Sequence, residues 1–227
     1  MHVDLPQDLT GSIAAAVRSF WRTRARQTEK QRTAGGKDQG ARSAVTGVAQ
    51  MNGFIDLFAK LALSAGARPQ DVLRGTRAVL PGLFRPTMQW DLLVNRGAQV
   101  VCAFKFAGQT GPMAERHLDR LIQEAIGFAP ELWGAYRRGA INFDIQPWLG
   151  YVLVVEDTRL HSNARSADDF CRRLVHERLY SDAAFVLVEN GDSYTEPADD
   201  MTLERLCRTL VIRVSVYCDQ PATALAG

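Results

Sequence analysis

Trp90-Asp91-Leu92-Leu93-Val94 runs into a turn at Asn95-Arg96-Gly97 and returns as Gln99-Val100-Val101-Cys102-Ala103-Phe104-Lys105-Phe106. Two apolar, β-rich runs joined by a short turn containing glycine read as the paired strands of a hairpin. Side chains two apart on a strand share a face, so Lys105 and Ala107 fall on the same side of the second strand. The hairpin marks the point where helical periodicity gives way to sheet.

On the N-terminal side, residues 7–34 carry Ile13, Ala16, Val17, Phe20, Trp21 and Ala25 at spacings near three and four, the pattern of an amphipathic helix with a basic C-terminal half. A glycine-rich, mildly basic loop follows from Gly35 to Gly47 and includes Lys37; it lacks the ending of a phosphate-binding P-loop. Met51 to Ala65 predicts a second helix, with Gly66 as its stop, and Gln70 to Val79 a short third one closed by Pro81-Gly82. On the C-terminal side, Met113 to Arg138 reads as helix in two parts, because Pro130 interrupts the pattern. Leu149 to Val155 is a continuous apolar run typical of a strand buried on both faces. Phe170 to Leu179 reads as helix and Ala184 to Val188 as a last buried strand. Leu203 to Val216 begins as helix, while Val211, Ile212, Val214 and Val216 favour strand at its end. This order predicts an α/β fold, a mixed sheet flanked by helices on both faces. The segmentation is an N-terminal helical segment (1–34), a main domain (35–219) and a small, polar tail (220–227) expected to be disordered.

The chain has 227 residues, 46% hydrophobic and 23% charged, with a formal net charge of +2, so it can bury a sizeable core. A charge that small gives no global attraction to nucleic acid; a DNA-binding surface would have to be a local cluster. Cys102, Cys171, Cys207 and Cys218 are scattered, with no paired spacing for zinc, and a reduced interior is expected. No basic leader followed by an apolar stretch opens the sequence, and no apolar run approaches the ~18 residues of a membrane span. The expectation is a cytoplasmic protein without a membrane partner.

Beside two shorter stretches, Pro147-Trp148-Leu149-Gly150-Tyr151 and Cys171-Arg172-Arg173-Leu174-Val175-His176-Glu177-Arg178-Leu179-Tyr180, three main blocks carry a family resemblance. They are Leu80-Pro81-Gly82-Leu83-Phe84-Arg85-Pro86-Thr87 leading into Trp90-Asp91-Leu92-Leu93-Val94; Gln109-Thr110-Gly111-Pro112 after the central strand; and Glu124-Ala125-Ile126-Gly127-Phe128-Ala129-Pro130-Glu131-Leu132-Trp133-Gly134-Ala135-Tyr136-Arg137. Together they resemble the XhoI-type restriction endonucleases of the PD-(D/E)xK nuclease superfamily, a likeness that extends over roughly residues 15 to 215. The resemblance implies a restriction-endonuclease-like mixed sheet flanked by helices. It also implies Mg²⁺-dependent hydrolysis of double-stranded DNA at a palindrome, within a restriction–modification system that includes a DNA methyltransferase. A homodimer is expected, since a palindrome is matched by two-fold symmetry.

In such nucleases an aspartate, and a glutamate and a lysine two residues apart on the neighbouring strand, meet at one edge of the sheet. The carboxylates hold the metal and the lysine serves the attacking water or the charge developing on the phosphate. Asp91 stands at the family aspartate. Counting back from Gln109-Thr110-Gly111-Pro112 places the glutamate position on Lys105 and the lysine position on Ala107. Two catalytic side chains are therefore substituted, one by the opposite charge. An ammonium near Asp91 competes with Mg²⁺ for the carboxylate, by about 4 kcal/mol for charges ~4 Å apart at an effective dielectric near 20. Lys105 either fills the metal position as a built-in cation or extends to solvent from a decayed site; both predict little cleavage.

A relocated carboxylate would rescue the metal site, and Asp56 and Glu124 are the candidates. For DNA contact the candidates are Arg85, Gln109, Arg120 and Lys37, each with a structural alternative as a loop hydrogen bond, a turn cap or a solvated charge. His117, His161 and His176 form no ligand spacing, and Glu115 and Asp119 suit surface ion pairs with neighbouring arginines. Three functions stay open: a degenerate nuclease that binds DNA, an active nuclease with a relocated carboxylate, and a non-enzymatic DNA- or partner-binding protein.

Overall fold

A computed structural model describes residues 8–33, 49–110, 114–141, 145–156, 161–189, 191–196 and 200–218. Lys37 with the whole of the glycine-rich loop, Gly111-Pro112 and the tail after Cys218 lie outside the described residues, as do the side chains of Glu115, His117 and His161. The helices are α1 (Leu9–Thr33), α2 (Asn52–Ser64), α3 (Ala114–Arg137), α4 (His161–His176) and α5 (Leu203–Cys218). The strands are β1 (Val72–Arg74), β2 (Val79–Leu80), β3 (Met88–Gln89), β4 (Leu92–Arg96), β5 (Gln99–Gln109), β6 (Trp148–Glu156), β7 (Asp182–Val188) and β8 (Tyr194–Thr195).

Six strands form one mixed sheet in the order β1-β4-β5-β6-β7-β8, and β2 and β3 make a separate antiparallel pair. The outer pairings are antiparallel, whereas β5, β6 and β7 run parallel, as their helical crossovers require. Buried on both faces, β6 reads as an unbroken apolar run from Trp148 to Val155. Alternation on β5 sends Cys102, Phe104 and Phe106 into one core with α1, α2 and α5, and Ala103 and Ala107 into a second core beneath α3 and α4. The α/β fold with helices on both faces is thus as expected. Gly150 sits opposite Phe104 in the β5–β6 register, and a Cβ there would meet the Phe104 ring at 2.3 Å. The ring occupies the space that a side chain would take.

Several local expectations differ. Residues 70–79 form no α-helix: two 3-10 turns, Pro69–Asp71 and Gly75–Arg77, flank the short β1, and Gly75 takes φ +60. A left-handed residue ends helical propagation, and Val72 instead pairs with Val94. α3 is a single helix despite Pro130, which is exposed together with Ile126, so the carbonyl that loses its helical N–H stands on the solvent side. α5 stays helical to Cys218 because Leu203, Leu206, Cys207, Leu210, Val211 and Val214 bury one stripe at helical spacing, overriding the β-branched run. β4 runs on through Arg96 with an irregularity after Val94, so the hairpin turns at Gly97, φ +60.

Candidate active site

Asp91 ends the loop that enters β4, and its N–H donates to the Phe104 carbonyl at 3.2 Å, which sets it opposite Lys105 on the hairpin. The Lys105 ammonium lies 3.2 Å from Asp91 Oδ2 and 3.3 Å from Oδ1. The Phe106 N–H donates to Oδ2 from the other side at 2.8 Å. Both side chains are nearly enclosed, 9% exposed for Asp91 and 12% for Lys105. Burial pushes the Asp91 carboxyl above the ordinary aspartate range, and the opposing pull of Lys105 and the Phe106 N–H only partly offsets this. Of the two readings for Lys105, the structure has the side chain folded in on Asp91, not extended to solvent.

α3 closes the site from above. Glu124, 49% exposed, sets its Oε1 3.9 Å from the Lys105 ammonium, and the Phe128 ring lies 4.3 Å from that ammonium in cation–π geometry. Phe128 also packs edge-on against Trp90, and Tyr180 donates to the Ala125 carbonyl at 3.2 Å, tying α3 over the sheet. Lys105 is therefore held by two carboxylates and an aromatic face. Ala107, buried one step along β5, offers no polar atom.

The donor set does not suit Mg²⁺. A hard divalent ion needs several oxygen ligands at about 2.1 Å, and here an ammonium fills the space between Asp91 and Glu124. Asp56 lies on α2 across the sheet, shares a cleft of about 250 Å³ with Asp91 and Trp90, and is ion-paired with Arg74. Among the described residues, no group of three His, Cys, Asp or Glu side chains could hold a metal ion.

The proposed DNA contacts scatter. Arg85 is mostly exposed and 3.5 Å from Glu131 Oε1; Arg120 is exposed on α3; Gln109 is only 1% exposed, inside the protein. Lys37 lies outside the described residues. Sequence reasoning passed over two participants, Phe128 and Glu131. The signal available for both was the spacing Glu124, Phe128, Glu131, which puts the three on one face of α3. Glu131 Oε2 accepts the N–H groups of Leu83 at 2.6 Å, Phe84 at 2.9 Å and Arg85 at 3.4 Å. Burial acts to raise the Glu131 carboxyl, but these three donors and the Arg85 guanidinium outweigh it and hold the group below the ordinary glutamate range.

The family model of the restriction endonuclease XhoI matches residues 30–169. The type II restriction enzyme BstVI of Geobacillus stearothermophilus is 30% identical over 211 residues, spanning 80% of this chain and 94% of the relative. The type II restriction enzyme AbrI of Azospirillum brasilense is 36% identical over 154 residues, 67% of this chain and 68% of the relative. The type II restriction enzyme XhoI of Xanthomonas vasicola is 32% identical over 145 residues, 62% and 57%. No solved structure matches significantly. Among the described residues no helix is long and apolar enough to cross a membrane.

Proposed function

The chain belongs to the XhoI restriction endonuclease family, and from that premise we propose that it binds double-stranded DNA but has lost, or nearly lost, Mg²⁺-dependent cleavage. One observation carries the reading: Lys105 Nζ stands 3.2 Å from Asp91 Oδ2 and 3.9 Å from Glu124 Oε1, a cation beside the acid that this reading assigns to the metal. Asp91, Lys105 and Ala107 are the catalytic positions in this reading, the last two substituted. Ala107 leaves the reaction without the family's lysine, so neither the attacking water nor the developing phosphate charge has its usual partner. In the family the ion would supply Lewis-acid polarisation of the phosphate; here its place is taken.

The proposal extends to a homodimer on a palindromic duplex, in the cytoplasm, within a restriction–modification system that includes a methyltransferase, a reading that family membership supports. Arg85 and Arg120 are the described candidates for phosphate contact, with Lys37 a third. A second reading rests on Glu124, which already reaches the site: an active nuclease with Asp91 and Glu124 as ligands, after Lys105 swings away. Asp56 is a weaker candidate because Arg74 neutralises it.

Incubation of plasmid DNA with Mg²⁺ or Mn²⁺ separates the readings. Cutting by the Lys105→Glu/Ala107→Lys double variant, with none by the unaltered protein, is the expected result. Metal-dependent cutting by the unaltered protein, abolished by Asp91→Ala, would overturn the proposal in favour of the relocated carboxylate.

A further inference from the structure

Phe84 is 83% exposed, the most exposed large apolar side chain among the described residues. The loop that carries it is fixed on every side. Glu131 takes three consecutive N–H groups from it, and the Gly82 N–H donates to the Arg85 carbonyl at 3.1 Å, closing a tight turn. A Cβ on Gly82 would meet Glu131 Oε2 at 2.6 Å, so only glycine lets the carboxylate approach this closely. Leu83 is seated against Gly134, where a Cβ would come within 2.4 Å of its side chain. Its neighbours are thus locked, while Phe84 itself is left exposed.

The same helix face holds the site and the loop. Glu124 and Phe128 touch Lys105, and Glu131, one turn further on, pins residues 83–85. An α-helix is stiff over so short a distance, so the Phe84 backbone is held at a fixed offset from the Asp91–Lys105 pair. Arg85, mostly exposed, stands beside it. A protein interface centres on a contiguous apolar area; the pair here is one highly exposed aromatic with a guanidinium next to it in the chain. It suits a duplex, where an apolar wedge enters one base step and a cation meets the adjacent phosphate.

We propose that Phe84, presented by the Glu131-pinned loop, is a base-stacking wedge that opens a step of bound double-stranded DNA, with Arg85 on the flanking phosphate. Glu131 is a positioning residue for both. The inference rests on the DNA-binding reading above. The wedge distorts the duplex at a set distance from Asp91, so its contribution to binding is independent of metal and of cleavage.

The test uses the full chain, chelator, and a fluorescent duplex pool with a randomised core, titrated across a salt series. Phe84→Ala should weaken binding roughly tenfold with an unchanged salt slope, and Phe84→Trp should restore it. Arg85→Ala should reduce the salt slope by about one. Relaxation of plasmid by topoisomerase in the presence of the protein reads the wedge directly: the unaltered chain should unwind DNA and Phe84→Ala should not. Phe84 is on the surface, so its variants keep the thermal midpoint of the parent. Salt-dependent duplex binding and unwinding that Phe84→Ala leaves unchanged would overturn the wedge and leave the DNA-binding reading standing. No duplex binding by the unaltered chain would overturn both.

Discussion

The Lys105 ammonium and the Asp91 carboxylate face each other across the β4–β5 hairpin at 3.2 Å, each nearly enclosed by the sheet and α3. An enclosed pair is a poor source of net stability, yet removing one partner strands the other. Lys105→Met should therefore lower stability by roughly 3 kcal/mol at neutral pH, and adding Asp91→Asn should recover most of the loss. Urea unfolding of both singles and the double completes the cycle. Additive losses would show that the two groups do not interact in solution.

Charge reversal at the same position has a different consequence. Lys105→Glu sets three carboxylates, those of Asp91, Glu124 and the substituted glutamate, around one point on the sheet edge. Without metal their repulsion lowers the melting temperature. With Mn²⁺ or Mg²⁺ present the temperature should rise by several degrees, since an ion that binds only the folded state stabilises it by about 2.7 kcal/mol at a hundredfold excess over Kd. The unaltered protein should be indifferent to either ion. A variant equally indifferent would place the family's metal position elsewhere on the chain.

Gly150 tests the packing that keeps β5 and β6 in register. Its Cα faces the Phe104 ring, which is wedged among Phe58, Phe106 and Trp148, so an added methyl has no free direction. Gly150→Ala should destabilise the protein by about 1–3 kcal/mol, despite the better strand propensity of alanine. Chemical denaturation measures it. A neutral or stabilising effect would mean that Phe104 has an alternative rotamer and that the core is looser than the structure has it.

Much of this architecture was legible because its signals are local. The 90–106 hairpin and the apolar run of β6 declare themselves by alternation and length. β1, β2, β3 and β8 have two or three residues each, too few for any period, and exist only through their partners. The end of α5 carries a β-branched run, and only a buried stripe supplied by other elements makes it helical. The site divides in the same way. Asp91 and Lys105 meet because of strand register, which the sequence contains. Glu131 meets Leu83 across 48 residues of chain: its spacing from Glu124 and Phe128 marks a shared helix face, but nothing local identifies the loop that it binds. Gln109 follows the central strand like a DNA contact, but β5 extends through it and carries it inside.

Glu131 also gives the loop a pH dependence. Its carboxyl titrates below the ordinary glutamate value of about 4.3, so folding favours the charged form, which accepts three N–H groups at once. That contribution is complete above the unfolded value and is lost as the pH falls through the depressed folded one. Glu131→Gln keeps the shape but weakens charge-assisted acceptors to neutral ones, at about 1–2 kcal/mol near neutrality. The stability gap between parent and variant should then narrow as the pH drops below the ordinary glutamate range, because the parent becomes neutral there too. Urea midpoints for the two proteins from neutral to acid conditions read this directly. A gap that stays constant over the whole range would mean that the carboxylate charge plays no part in holding Phe84 and Arg85 in place.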